Sequence, residues 1–232
     1  MNAKHISPPE DGYVRINAGS GVLLDADLAL PHSTHSVVVF AHGSGSNRYS
    51  PRNRFVARSL HQAGLGTLLV SLLTAEEEAQ DIIRGHLRFD IALLGRRLTA
   101  VVDWLHENPQ TRHLTSGIFG SSTGAAGALL AAADRPALVA AVVSRGGRPD
   151  LAASALDRVK APTLLIVGGN DTPVIDFNRK ALATLHAEKK LVIVPGATHL
   201  FEEPGALEQV VRLATDWFVT YLDARNAPPA QG

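Results

Sequence analysis

Gly117-Ile118-Phe119-Gly120-Ser121-Ser122-Thr123-Gly124-Ala125-Ala126-Gly127-Ala128-Leu129-Leu130 decides how this chain folds. Its opening is a short apolar run of strand character and its close is a small-residue run of helical character, while Gly120 to Gly124 between them match G-x-S-x-G. A strand that becomes a helix within five residues strains its central residue, and glycines at 120 and 124 remove side chains that would strike neighbouring backbone. Ser122 Oγ is thereby expected at the carboxyl end of the strand. The helix start leaves N–H groups unpaired, so Thr123 N–H is a candidate donor to a developing oxyanion. Five residues alone also read as a Gly/Ser loop before a helix cap. The flanking strand and helix favour the nucleophile turn.

A serine hydroxyl is a weak nucleophile at its own pKa and requires a positioned base. Of the ten His, only His199 follows the last expected strand and precedes the last helix, in Pro195-Gly-Ala-Thr-His199. His5, His32, His35 and His113 lie near expected turns or the chain start, and His61, His86, His106 and His186 lie on or beside helices. For the orienting acid, Asp171 follows the strand Thr163 to Val167 through Gly168-Gly169-Asn170, with Asp150 as competitor and a helix N-cap as its simpler role. The order Ser122, Asp171, His199 places each residue after a strand.

His42-Gly43-Ser44-Gly45-Ser46 follows the apolar strand Val37 to Ala41, where a second oxyanion donor is required. The amide of Ser44, or that of Gly45 if the loop turns one residue later, is the expected donor. A Gly-rich phosphate cradle is the other reading, but the Lys of a P-loop and the full dinucleotide fingerprint are missing. His42, Asn47 and Arg48, with Tyr49 and Asn53, are expected to line one wall for substrate. Arg145 and Arg148, in Ser144-Arg-Gly-Gly-Arg148, are expected on another, either gripping a substrate carboxylate or phosphate or tying the loop to Asp150.

Around these loops, short β-branched runs alternate with segments of helical period, the mark of βαβ units about a mostly parallel sheet. Tyr13 to Asn17 and Val22 to Leu30 read as an opening hairpin. Further strands are expected at Thr67 to Leu72, Leu138 to Val143 and Leu191 to Val194, and helices at Pro51 to Ala63, Ala125 to Ala133, Ile175 to His186 and Ala206 to Leu222. Ile91, Leu94, Leu98, Val101, Val102 and Leu105 recur at helical spacing. Glu76-Glu77-Glu78 reads as a solvated helix turn or loop in preference to a substrate-recognition run. One domain over residues 1–225 is expected, with 226–232 as a frayed tail.

The 22 Lys+Arg balance the 22 Asp+Glu, so no net field draws nucleic acid or an anionic membrane. Cys is absent, which excludes a disulfide, a thiolate metal site and a cysteine nucleophile. No stretch approaches the roughly 18 apolar residues of a membrane span, and the expectation is a cytoplasmic monomer or homodimer. A small acyl compound is the expected partner, with no nucleic acid, membrane, metal or cofactor.

With Gly120-Ser-Ser-Thr-Gly124, Asp171, His199 and the His42-Gly43 loop, the chain resembles the α/β-hydrolase superfamily over nearly its whole length. It looks most like the small, lidless, dienelactone hydrolase-related branch. The resemblance implies an eight-stranded mostly parallel sheet, second strand antiparallel, with helices on both faces. It also implies acyl-enzyme chemistry on esters, thioesters, lactones or amides. Dienelactone hydrolase itself carries a cysteine nucleophile where this chain has Ser122, so the resemblance does not carry its substrate over. The runs at 42–46 and 144–148 look like those of hydrolase-like proteins whose substrates are mostly unassigned. Only a short segment separates the strands at Val143 and Thr163, leaving no room for a large helical lid. A serine ester hydrolase is the leading reading; an acyltransferase on the same triad, or a binding protein keeping the fold without turnover, are the alternatives.

Overall fold

The computed structural model describes residues 10–223. Its sheet has eight strands, β1 (Glu10–Asn17), β2 (Leu23–Leu30), β3 (Ser36–Ala41), β4 (Gly66–Val70), β5 (Thr115–Ser121), β6 (Val139–Arg145), β7 (Thr163–Gly168) and β8 (Lys189–Val194), in spatial order β1-β2-β4-β3-β5-β6-β7-β8. β2 runs antiparallel to both neighbours and every pairing from β4 to β8 is parallel. Parallel strands are covered on both faces, and β3, β5, β6 and β7 are buried almost throughout for that reason. The expected tail at 226–232 and His5 lie outside the described residues.

The helices are α1 (Pro51–Gln62), α2 (Ala75–Arg84), α3 (Ile91–Glu107), α4 (Thr123–Asp134), α5 (Thr172–Thr184) and α6 (Ala206–Phe218). Period-two alternation sends neighbouring residues of β5 to opposite cores: Ile118 packs with Leu94, Leu98 and Leu129, and Phe119 packs with Val56, Leu60 and Phe218. α3 and α4 therefore cover one face, and α1 and α6 the other. Between β6 and β7 the chain makes only a 3-10 segment, Pro149–Arg158, in agreement with the expected lack of a large lid.

Sequence periodicity did not indicate α2. The helix begins at Thr74, whose hydroxyl accepts from Glu77 N–H while Glu77 accepts from Thr74 N–H, a reciprocal cap. Of the two readings of Glu76–Glu78, helix turn or loop, the helix turn is the one formed. Only Glu76 is exposed; Glu77 and Glu78 turn inward.

Strand order reverses around β3, since β4 lies on one side of it and β5 on the other. Loops leaving β3 and β5 diverge there, and open α/β sheets form their ligand crevice at such a point. Ser122, between β5 and α4, has φ 51 and ψ −122, a region costing about 1–3 kcal/mol for a residue other than glycine. Hydrogen bonds hold it: Ser122 N–H donates to Arg145 O (3.2 Å), and Ser122 O accepts from Ala125 and Arg148 N–H (3.1 Å each).

The turn also requires α4 to touch the end of β3. A methyl group at Gly124 would sit 2.3 Å from the His42 carbonyl oxygen, and one at Gly120 2.4 Å from Ala125 Cα, so backbone would have to move. Gly124→Ala is expected to destabilise the fold by about 3 kcal/mol, at the upper end of ordinary overpacking. Gly12→Ala, where nothing lies within 4 Å, is expected to change stability by less than about 0.5 kcal/mol. Urea unfolding of the two variants checks this, and equal effects would show that the turn is loosely packed.

Candidate active site

Ser122, His199 and Asp171 come from loops after β5, β8 and β7, and all three emerge at the carboxyl edge. His199 Nε2 lies 3.3 Å from Ser122 Oγ and Nδ1 lies 2.6 Å from Asp171 Oδ2. Asp171 can only accept when ionised, so Nδ1 carries the proton and Nε2 is left to accept from the serine hydroxyl. The 2.6 Å contact is short and charge-assisted, whereas the 3.3 Å contact is long, as hydrogen bonds to nucleophiles are before substrate arrives. Asp171 makes no side-chain cap bond to α5, so its simpler role as N-cap is not the one its oxygen serves. Asp150, the competing acid, is engaged two residues away by Arg148 at 2.8 and 2.9 Å.

The loop after β3 lies against Ser122. Ser44, with Gly43 and Ser46, lines a cavity of about 160 Å³ that also contains Ser122, His199, Arg145, Arg52 and Asn53. On its other side, Ser44, Gly45 and Thr123 line a second cavity of about 200 Å³ with Leu73, Ile82, Leu94 and Glu78. Ser44 is thus common to both cavities, and Gly45 belongs to the second. Thr123 occupies the first position of α4, where an N–H has no acceptor within the helix.

Three residues expected to meet substrate have their polar groups engaged by the protein itself, although His42 does line the second cavity. His42 is buried: its Nε2 accepts from Leu72 N–H (2.9 Å), so its Nδ1–H donates to Gly43 O (2.9 Å) and no ring nitrogen remains. It is a pin between β3 and β4. Arg48 turns to β2, with Asp25 at 3.3 Å and Asp27 at 3.4 Å, and lies over the Tyr49 ring. Arg148 is occupied by Asp150 and stacks on Phe177 at 4.5 Å, so of its two readings the loop tie is the one formed. Asn47 does line the second cavity, with Nδ2 donating to Glu78 Oε2 at 3.3 Å.

Arg145 differs from the other two arginines. It is 7% exposed, lines the nucleophile's cavity, and has no carboxylate within 4 Å among the described residues. Its contacts are neutral and long: Nε to Ser121 Oγ at 3.3 Å and Nη1 to Leu200 O at 3.4 Å. Burial, with the Arg52 cation nearby, lowers its pKa to about 10, so it remains charged at neutral pH. Arg52 and Ser121 were not singled out from sequence. Arg52 sits at the start of the helix that follows the oxyanion loop, which was the available signal.

The second cavity is roofed by α2 and the 3-10 turn Leu87–Phe89. Arg97 on α3 ties this roof down through Glu77 Oε1 (2.5 Å) and Leu72 O (2.6 Å), and the buried Asp81 takes Arg88 and the Leu87 N–H. Burial raises the pKa of Glu78, despite opposing help from Asn47 and Arg48. Its Oε1 and Thr123 Oγ1 have no hydrogen-bond partner among the described residues.

Comparison with known proteins agrees with this fold. The model of the dienelactone hydrolase family matches residues 24–222. The chain belongs to the dienelactone hydrolase family. Among solved structures, a dienelactone hydrolase from Anabaena variabilis ATCC 29413 is 59% identical with a TM-score of 0.91, over 93% of this chain and 100% of that one. Est1E from Butyrivibrio proteoclasticus shares the fold at 18% identity and a TM-score of 0.75, over 90% and 98% of the two chains. Two Mycobacterium tuberculosis proteins provisionally named phosphoribosyl transferases, from strains CDC 1551 and H37Rv, are each 54% identical over 215 residues. That match takes in 93% of this chain and 47% of theirs, so the chain spans about half the length of these relatives. Among the described residues no helix is long and apolar enough to cross a membrane.

In this family member the His42 pin makes the loop sensitive to acid. Burial pulls the imidazole pKa from 6.5 down to about 4, against a smaller opposing effect of the Gly43 carbonyl. Below pH 6.5 the unfolded chain therefore binds a proton that the folded chain refuses, and stability falls as pH drops toward 4. The stability advantage of wild type over His42→Gln is expected to shrink by about 3 kcal/mol between pH 7 and pH 4, at about 1.36 kcal/mol per pKa unit. Urea unfolding at the two pH values reads this directly; an unchanging gap would mean that His42 is not held neutral.

Proposed function

We propose that this hydrolase-fold protein cleaves small carboxylic esters, thioesters or lactones through an acyl-enzyme on Ser122. What supports this most is the Ser122–His199–Asp171 line, with Nε2 free to take the serine proton and Asp171 fixing the tautomer that allows it. As Ser122 Oγ attacks the acyl carbon, its proton passes to Nε2, and Asp171 stabilises the imidazolium without itself being protonated. Ser44 and Thr123 N–H are the assigned donors to the oxyanion, each worth about 10²–10³ in rate. The tetrahedral intermediate collapses when Nε2–H protonates the leaving alcohol. Water then attacks the acyl-serine by the same route, releasing the acid and restoring Ser122.

The two cavities give the substrate a direction. The leaving group must lie beside His199, which protonates it, and His199 lines the smaller cavity. The acyl chain then extends past Thr123 toward Leu73, Ile82 and Leu94 in the larger one. At about 200 Å³ that space suits a short acyl group, given that a water takes about 30 Å³. The transferase name carried by the longer mycobacterial proteins is not transferred to this chain, because the reading here rests on its own side chains.

A fluorophosphonate probe is expected to add once to the wild-type protein, as read by intact mass, and not to Ser122→Ala or His199→Ala. Asp171→Asn is expected to lower kcat on p-nitrophenyl butyrate by about 10⁴-fold, since the amide favours the wrong tautomer. A wild type that takes no label while a control hydrolase does would overturn the reading in favour of a binding protein.

A further inference from the structure

Arg145 presents a physical anomaly. Removing a guanidinium from water costs several kcal/mol, and buried charges are ordinarily paired. The other buried arginine, Arg97, follows that rule through Glu77, and the half-buried Arg148 follows it through Asp150. Arg145 has only a hydroxyl and a carbonyl, both beyond 3.2 Å, and the face of the Phe201 ring at 5.7 Å, none of them anionic, and its cavity contains no acidic lining residue. The cavity's second cation, Arg52, is held at its rim by Glu202 (2.9 Å), with its Nε unpartnered. Asn53 and the Ser46 and Ser50 hydroxyls complete a lining of neutral polar groups. Ser122 and His199 share the same walls, so whatever enters is in reach of the chemistry.

We infer that this cavity is an anion subsite for the leaving alcohol: the substrate is an ester whose alcohol portion carries a phosphate or carboxylate that meets Arg145, with Arg52 at the mouth. The inference rests on the serine hydrolase reading. Position assigns the anion to the alcohol, because Arg145 shares the cavity with His199, whereas the cavity past Thr123 lacks it and has as its one arginine Arg88, which is paired with Asp81, beside the acidic Glu78. Size fits too: about 160 Å³ equals roughly five waters, enough for a phosphate or carboxylate on one or two carbons. Arg145 supplies charge already desolvated and oriented, so an anion gains more from it than from a surface cation. Glu202, the acid paired with Arg52 at the rim, is 62% exposed in its side chain.

The test compares kcat/KM for matched esters on the wild-type protein: 2-phosphonooxyethyl butyrate, carboxymethyl butyrate, neutral 2-methoxyethyl butyrate, and monoethyl succinate, which carries its charge on the acyl side. At least one of the first two is expected to exceed the methoxyethyl ester by about 30-fold or more, the scale of a buried charged hydrogen bond. Their ranking separates phosphate from carboxylate. Monoethyl succinate is expected to gain nothing over ethyl butyrate. In Arg145→Met the ratio of charged to neutral alcohol ester should fall close to one, while Arg145→Lys keeps part of it; fluorophosphonate labelling reports whether the serine site is intact in each.

Equal rates for charged and neutral alcohols in a wild type that takes the label overturn the anion subsite and leave the hydrolase reading standing. So does a preference confined to monoethyl succinate, or one that a labelled Arg145→Met retains. If the methionine variant does not fold, the wild-type series decides alone. A wild type that neither labels nor turns over any ester overturns the hydrolase reading, and this inference with it.

Discussion

The strained backbone of Ser122 is the constraint on which the rest of the site depends. A serine at φ 51 and ψ −122 is retained only if its surroundings fix it, and here they come from three directions. Arg145 O and Arg148 N–H, at the end of β6, bind its amide and carbonyl; Ala125 N–H closes the first turn of α4; and Gly124 lets that helix lie against the His42 carbonyl. Ser122, the loop from His42 to Ser46 and the arginine-bearing end of β6 are thereby locked to one point. Displacement of any of them would be transmitted to the serine.

Burial acts on two basic side chains of this region with opposite results. The imidazole of His42 can shed its proton, does so, and serves as a neutral tie between Gly43 and Leu72. The guanidinium of Arg145 is lowered by the same desolvation only to about 10 and stays charged. One group therefore stiffens the loop with no electrostatic field, while the other keeps a field directed at the cavity.

Much of this was legible in sequence because it is local. The run from Gly117 to Leu130 contains its own strand, turn and helix, and Asp171 and His199 each follow a recognisable strand, so the triad needed only chain order. Arg148 could be read as a loop tie because its partner is two residues away. What could not be read depends on pairings across the fold. Arg48 looked like a pocket residue until Asp25 and Asp27, on β2 more than twenty residues earlier in the chain, claimed it. Glu77 and Glu78 looked solvated because Arg97, the side chain that draws the first inward, lies twenty residues on. The Thr74-to-Glu77 spacing did hold the capping signal, and attention to it would have found α2.

The histidine loop shows how charge and geometry are joined. Phe201 is a fully buried aromatic residue at φ 57, a conformation that a bulky side chain adopts only under constraint. Its ring lies under the Arg145 guanidinium at 5.7 Å, and the intervening Leu200 carbonyl accepts from Arg145 Nη1. Behind it, the His199 carbonyl lies 3.1 Å from where a side chain at Gly146 would begin, so the residue after Arg145 must be small for the loop to close. Arg145 therefore does more than face the cavity: it also supports the loop that carries His199. A ligand that competes for its guanidinium would draw on the same donors, coupling occupancy of the cavity to the placement of the base.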